Sequence, residues 1–331
     1  MKRFLITGAD SFIGRAIVRR VLGRGDEVIA VVMRGVEFCP ISHISSSDSP
    51  NELTFASSNL PRPARNLPKI PSEKSTAIRI VHANMDEYAN LADMVGEKNI
   101  DVCIHLAWDG ARDGRNDPVR QAKNVEASIQ LFEGVVKLNC DVFVGAGTQM
   151  EYGSLYEKIN EEAECKPTTE YGRAKFEFTK YLLENAPKHG IRPIMPRIFS
   201  IIGEEDRVSI FASVLDKMLV NEDIDLTEAT QLWNFIYVED YVSGLLQLID
   251  KGGSGIYNFA SLDTRPLRKF FEVAKKIVGS TSVLKFGAVA YPSTGKVSID
   301  PDISKLVQFG YEGFTPFEEA VKKIVKRRRE G

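Results

Sequence analysis

Apolar positions along this chain fall into two rhythms. Short, nearly unbroken apolar runs at residues 4–6, 28–33, 78–82, 102–106, 142–145 and 191–194 have the length and composition of buried strands. Between them lie stretches with helical periodicity. In residues 12–22, FIGRAIVRRVL, the side chains of Ala16, Ile17, Val18, Val21 and Leu22 share one face, with Gly23 or Gly25 as the stop. Further amphipathic helices are predicted around 88–97, at 118–138 and from 167 to about 185. Strand and helix alternate, which predicts an α/β fold with a doubly wound parallel sheet and ligands at the carboxyl ends of its strands. Beyond residue 195 the rhythm breaks. Helices are predicted at 208–220, from 241 to 249, at 267–278 and at 317–328, with a short apolar segment at 224–226 and strand-like IYNFA at 256–260. These irregular parts read as a smaller lobe that covers the cleft.

The first strand breaks into the turn that most changes this picture. TGADSFIG at residues 7–14 sets Gly8, Ser11 and Gly14 between a buried strand and a helix, so that main-chain N–H groups around Ser11, Phe12 and Ile13 and the helix N-terminus face outward. That is the pattern of a dinucleotide-binding turn cradling a pyrophosphate. A glycine turn of purely local origin has the same look, and Ser11 stands where glycine allows the closest approach to phosphate. Val32, Met33 and Arg34 end the second strand. An acidic residue there suits a ribose 2′-hydroxyl, whereas an arginine suits a 2′-phosphate or is merely solvated.

Residues 36–77 carry six of the fifteen prolines and two serine clusters, and read as a long surface insertion, tolerated decoration in preference to a functional lid. The remaining totals are those of an ordinary globular protein: 331 residues, 43% hydrophobic, formal net charge −2. That charge gives no reason to expect nucleic acid or an anionic membrane as a partner. The basic cluster KRRRE at 326–330 reads as a solvated helix end. Cys39, Cys103, Cys140 and Cys165 form no CxxC pair and read as reduced thiols of a cytoplasmic protein. His43, His82, His105 and His189 show no ligand spacing, so no metal is expected, and His105 is read as structural.

Tyr171 and Lys175 lie four residues apart on a predicted helix and so share a face. A phenol is a poor base at neutral pH, and a neighbouring ammonium favours the phenolate. The pair can then exchange a proton with a sugar hydroxyl or carbonyl. Alone, this spacing occurs by chance in many helices.

The surrounding segments give it context. TGADSFIG, CIHLAW, KNVEAS, VFVGAGTQMEYG, YGRAK, PRIFSIIG, WNFIYVEDYVSGL, GIYNFAS and the closing DISKLVQFGYEGFTPFEEAVKKIV follow one another in an order that resembles the extended short-chain dehydrogenase/reductase family, the NAD(P)-dependent epimerases, dehydratases and reductases of nucleotide sugars. The resemblance implies a Rossmann dinucleotide-binding domain at 1–195 plus 236–260 and a smaller C-terminal substrate lobe at 196–235 plus 261–331. It implies Tyr171 as acid/base, Lys175 as the residue that holds the nicotinamide ribose and lowers the phenol, and Thr148 as donor to the substrate oxygen. Gly8, Ser11, Phe12, Ile13, Gly14, Arg34, Asn84, Met85, Leu106, Ala107, Asn124 and Ile198 are the further cofactor-binding positions. Trp108, Gln149, Met150, Ser200, Arg207 and Trp233 are the substrate-binding ones.

Departures from the family narrow the reaction. Gln149 and Met150 occupy positions where dehydratases carry Asp-Glu and decarboxylases a Glu, so elimination and decarboxylation of that type are not expected. Trp233 stands where relatives place a diphosphate-binding arginine, and Arg207 or Lys296 are candidates for the lost charge. Hydride transfer remains. Arg34 favours NADP(H), with NAD(H) the alternative, and the expectation is an NADPH-dependent reductase of a nucleotide-linked 4-keto-6-deoxyhexose. An NAD-dependent nucleotide-sugar 4-epimerase and a non-catalytic dinucleotide sensor are the rivals. The resemblance also implies a homodimer paired through the helices at 118–138 and 167–185.

Overall fold

The computed structural model describes residues 1–38, 77–154, 158–291 and 297–330. The insertion expected at 36–77 lies almost entirely outside the described residues, as does Lys296. The chain divides into two compact units. The first comprises Met1–Asp109, Ala122–Gly145 and Tyr181–Pro193, and the second Gly110–Gln121, Ala146–Lys180 and Ile194–Gly331.

In the first unit, β1 (Arg3–Thr7) leads into α1 (Phe12–Gly23), followed by β2 (Glu27–Val32), β3 (Ile78–His82), α2 (Leu91–Val95), β4 (Val102–His105), α3 (Pro118–Lys137) and β5 (Val142–Gly145). The strands pair in parallel in the order β3-β2-β1-β4-β5, the arrangement of a Rossmann sheet. Phe4, Leu5 and Ile6 are fully buried, which is why β1 is an unbroken apolar run rather than an alternating one. Ala16, Ile17, Val18 and Val21 form the buried face of α1. Where the sequence predicts one helix at 88–97, a 3₁₀ turn, Met85–Asn90, precedes the single turn of α2. His105 is structural, as expected. Its Nδ1 lies 2.7 Å from the Thr7 hydroxyl and its Nε2 lies 2.9 Å from that of Ser128, so both ring nitrogens are used and the ring is buried.

The second unit contains β6 (Gly147–Thr148), β7 (Lys158–Ile159), the start of α4 (Glu170–Asn185), β8 (Arg192–Ile198), β9 (Ser200–Ile202), α5 (Ile210–Leu219), β10 (Ile224–Leu226) and β11 (Leu232–Tyr237). It continues with α6 (Val238–Asp250), β12 (Gly255–Phe259), β13 (Thr264–Pro266), α7 (Leu267–Val278), β14 (Leu284–Phe286), β15 (Asp300–Pro301), α8 (Ser304–Gln308) and α9 (Phe317–Glu330). β12 and β6 flank β8 in parallel, and β13-β11-β9 make a smaller mixed sheet. Phe211, Phe235, Phe270 and Phe317 pack edge to face, tilted or stacked, with ring centroids 4.7–5.8 Å apart. They join α5, β11, α7 and α9 into one core.

The basic end of α9 is not simply solvated. The Arg328 side chain is 4% exposed, pairs with the Asp216 carboxylate and donates to the Asp206 carbonyl, while Arg329 donates to the Val278 carbonyl at 2.7 Å. These side chains satisfy acceptors at the edges of α5 and α7, and only the rest of the cluster is free to face water.

Candidate active site

The geometry of the dinucleotide turn follows from two glycines. Gly8 adopts φ +66°, and a Cβ there would lie 2.9 Å from the Ala107 main-chain nitrogen at the end of β4. A Cβ on Gly14 would run into the Gly8 carbonyl oxygen, so this glycine lets α1 close on the turn. Ser11 is the N-cap residue, its hydroxyl accepting the Gly14 N–H at 3.1 Å. That leaves the Phe12 and Ile13 N–H groups as the open donors of the first turn, where a helix N-terminus favours an anion. Ser11 itself is exposed and no acidic residue sits in the first turn. A dinucleotide pyrophosphate fits these donors, and Leu106 and Ala107, half-buried, border the turn.

The neighbouring positions are more occupied than the sequence suggests. The Arg34 guanidinium donates from Nε and Nη2 to the two Glu87 oxygens at 2.7 Å each. Arg34 holds the Glu87 carboxyl down to about 2, so the pair is charged at any working pH. Asn84 accepts the Arg34 N–H on its side-chain oxygen at 3.1 Å, and its own N–H donates to Glu87 at 2.9 Å, ahead of Met85 in the 3₁₀ turn. The Asn124 amide is buried and exchanges two 2.8 Å hydrogen bonds with the Asp109 main chain, which fixes the segment leaving β4.

The second unit carries the candidate acid/base residues. Thr148 ends β6 and is buried; its hydroxyl caps the next turn by accepting the Met150 N–H at 3.3 Å. Tyr171 stands in the first turn of α4. Its N–H donates to the Arg115 carbonyl at 2.9 Å, and the following Gly172 N–H donates to the Thr169 hydroxyl at 3.0 Å. Gly172 also lets the helix start touch the Met150 carbonyl, since a Cβ there would lie 2.5 Å from that oxygen. The Thr148 hydroxyl is thereby set where it draws the Tyr171 phenol downward. One turn on, Lys175 is buried, its Nζ donating to the Ala146 carbonyl at 2.9 Å and lying 5.9 Å from the Tyr171 ring centroid.

Burial sets the electrostatics. It pushes the Tyr171 phenol up to about 12, against the opposing pull of the Thr148 hydroxyl and the Arg115 guanidinium, which sits 6.0 Å above the ring. It pushes the Lys175 ammonium down to about 7, with Glu151 acting the other way. Thr148 and Arg115 supply the downward pull on the phenol. Arg115 carries no motif spacing and escapes a sequence reading.

Glu151 escapes it too. This carboxylate is fully buried: Oε1 accepts the Thr148 N–H at 2.9 Å, and Oε2 accepts Arg197 Nε at 3.0 Å and the Thr179 hydroxyl at 3.1 Å. The trace it leaves is Thr-x-x-Glu, a capping box across residues 148–151.

The substrate-side expectations are scattered over the second unit, apart from Trp108, half-buried after β4. Gln149 and Trp233 each keep one buried polar atom, Oε1 and Nε1 respectively, without a hydrogen bond. Met150 is half-buried beside α4. Ser200 pairs with Phe235 in the β9–β11 ladder, and Ile198 ends β8. Arg207 is exposed, its guanidinium held below its ordinary value chiefly by desolvation and by Arg328. Asn234, beside Trp233, is a buried brace, bonded to the Ser261 and Asp263 carbonyls and to Thr264. Among the described residues no group of three or more His, Cys, Asp or Glu could hold a metal ion, and no helix is long and apolar enough to cross a membrane.

Comparison with known proteins agrees with this geometry. The family model described as NAD dependent epimerase/dehydratase family matches residues 4–260. The CDP-abequose synthase of Salmonella muenchen is 25% identical over 98% of this chain and 97% of its own. The dTDP-6-deoxy-L-talose 4-dehydrogenase (NAD(+)) of Aggregatibacter actinomycetemcomitans is 27% identical over 81% of this chain and 87% of its own. In fold, the chain resembles the crystal structure of UDP-glucose 4-epimerase from Thermotoga maritima, with a TM-score of 0.78, 21% identity and 99% of each chain covered. The chain belongs to the NAD dependent epimerase/dehydratase family and is an NAD(P)-dependent enzyme of the extended short-chain dehydrogenase/reductase type.

Proposed function

We propose that this enzyme catalyses net hydride transfer at C4 of a nucleotide-linked 6-deoxyhexose, as an NADPH-dependent reductase of the 4-keto sugar. One observation carries the reading. Thr148, whose hydroxyl draws on the Tyr171 phenol, is followed along the chain by the neutral Gln149 and Met150, and the next carboxylate, Glu151, is buried and bound to Arg197 and Thr179, so this segment offers no free second acid/base for elimination or decarboxylation. Two full-length or near full-length relatives are named for deoxy-sugar chemistry, one of them a 4-dehydrogenase.

When bound, a nicotinamide dinucleotide supplies the hydride. The chain supplies the proton: Tyr171 donates it to the oxygen that becomes the C4 hydroxyl, and Thr148 orients that oxygen. Lys175, one helical turn away, would hold the nicotinamide ribose and favour the phenolate left behind. Gly8, Ser11, Phe12, Ile13 and Gly14 would hold the pyrophosphate through the main chain and helix N-terminus. The unpartnered Gln149 Oε1 and Trp233 Nε1 are an acceptor and a donor suited to sugar hydroxyls.

The test begins with dinucleotide released from protein purified without added cofactor. NADP(H), or none, is expected, followed by NADPH oxidation on 4-keto-6-deoxyhexose nucleotides. Tyr171→Phe is expected to lower that turnover by about 10²–10⁴-fold with cofactor affinity retained. Stoichiometric NAD would favour the second reading, an NAD-dependent 4-epimerase or 4-dehydrogenase. The observation behind that reading is the Glu87 carboxylate on Arg34, which already neutralises the cation a 2′-phosphate would need. Sedimentation at working concentration checks the homodimer that the family resemblance suggests.

A further inference from the structure

We propose that Glu151 is a positioning residue of this site: its buried carboxylate fixes Thr148 through the main chain and sets a negative charge against the face of α4 that carries Lys175. The inference rests on the reading of Thr148, Tyr171 and Lys175 as the reacting set.

The geometry carries both halves. Oε1 takes the Thr148 N–H at 2.9 Å, and the Thr148 hydroxyl itself caps Met150, so the carboxylate and the hydroxyl lock one turn from opposite ends. Gly147 belongs to the same lock, because a Cβ there would lie 2.8 Å from Glu151 Oε1. Oε2 takes the Thr179 hydroxyl at 3.1 Å. Thr179 is one turn beyond Lys175 on α4, as Tyr171 is one turn before it, so the three share a face. The carboxylate is therefore tied to that face.

The charged and titratable groups around Lys175 come from several elements. Glu151 follows β6, Tyr171 shares α4, and Arg115 lies over the Tyr171 ring. From β8, Arg197 is 1% exposed, pairs with Glu151 at 3.0 Å, stacks 4.3 Å from the Tyr152 ring centroid and donates to Cys165 Sγ at 3.1 Å. Tyr152 in turn donates to Asn258 at 2.7 Å. Arg197 holds Glu151 in place from β8. Burial depresses the Lys175 ammonium and Glu151 opposes that depression, which is the sign the arrangement requires.

The experiment reads Lys175 directly. Protein labelled with ¹³C-lysine is titrated by NMR without cofactor or substrate, and the Lys175 signal is assigned by its loss in Lys175→Arg. Glu151→Gln keeps the size of the side chain and one acceptor oxygen and removes its charge. It is expected to move the Lys175 titration to lower pH by about one unit, a tenfold fall in the ratio of protonated to neutral amine at fixed pH. Glu151→Gln leaves Arg197 buried without its counter-charge, so Glu151→Gln/Arg197→Met, which removes both charges, is measured beside it and is expected to shift in the same direction. A Lys175 titration unchanged to within 0.3 units in both variants would overturn the proposal. A protein that binds no nicotinamide dinucleotide would overturn the proposed function instead, and the titration result would stand.

Discussion

Lys175 is 5% exposed, and burial holds its ammonium down to about 7, whereas in an unfolded chain the amine is charged throughout the neutral range. The folded state thus binds fewer protons than the unfolded state between those two values, so stability rises with pH across that window. At pH 7 the deficit is up to about 4 kcal/mol, the cost of burying a charge-bearing group. Lys175→Met is expected to be more stable than the native chain at pH 7, with the difference shrinking by about 2 kcal/mol at pH 9. Denaturant unfolding of cofactor-free protein at the two pH values measures both quantities, and a less stable variant at pH 7 counts against the buried-cation argument. Arg34 gives a second prediction at this scale. Glu87→Gln frees its guanidinium from a charged partner, and the ratio of NADP⁺ to NAD⁺ affinity is expected to rise about tenfold by calorimetry, the equivalent of about 1.4 kcal/mol. The sequence exposes Tyr171 and Lys175 through their spacing of four on a helix, and Thr148 through the family resemblance. It conceals Glu87, 53 residues from Arg34, and the Glu151 partners Thr179 and Arg197, 28 and 46 residues away. Such pairs exist only after folding.

Among the elements, the turn into α1 is where backbone geometry and binding coincide most closely. Gly14 has no room for a Cβ against the Gly8 carbonyl, and Gly8 needs its positive φ to pass Ala107. Gly14→Ala is expected to cost about 1–3 kcal/mol through overpacking and to weaken dinucleotide binding as the turn opens. Ser11→Ala removes only the cap on Gly14, about 1 kcal/mol, and is expected to leave affinity nearly unchanged because the Phe12 and Ile13 N–H groups remain. Unfolding curves and dinucleotide titrations of the two variants separate conformation from capping. Long elements are legible in the sequence, since β3, β5 and α7 have the bounds their apolar runs predict. The two- and three-residue strands Gly147–Thr148, Ser200–Ile202 and Thr264–Pro266 are not, being too short to show any alternation. The end of α9 misleads for a related reason: a run of arginines reads as solvent-facing until Asp216 and the Asp206 and Val278 carbonyls are found beside it.

For the whole molecule, the parallel sheet of the first unit is legible from alternation alone though its order β3-β2-β1-β4-β5 is not, and the second unit's separate small sheets account for the loss of rhythm after residue 195. The split of labour between the units leads to a measurement on the intact chain. The first unit carries the glycine turn proposed to hold a dinucleotide and the second the residues Thr148, Tyr171 and Lys175 proposed as the acid/base set. A ligand that binds only the folded chain raises its stability by RT ln(1 + [L]/Kd), about 2.7 kcal/mol at a hundredfold excess over Kd. In a protein of this size that corresponds to a melting temperature higher by a few degrees. NADPH is expected to give that shift at lower concentration than NADH, and Gly14→Ala to abolish it. Tyr171→Phe, whose change lies in the second unit, is expected to keep the shift while losing turnover. Loss of the NADPH shift in Tyr171→Phe would mean that the hydroxyl contributes to holding the dinucleotide and is not confined to proton transfer, which would require the roles of Tyr171 and Lys175 to be reassigned together.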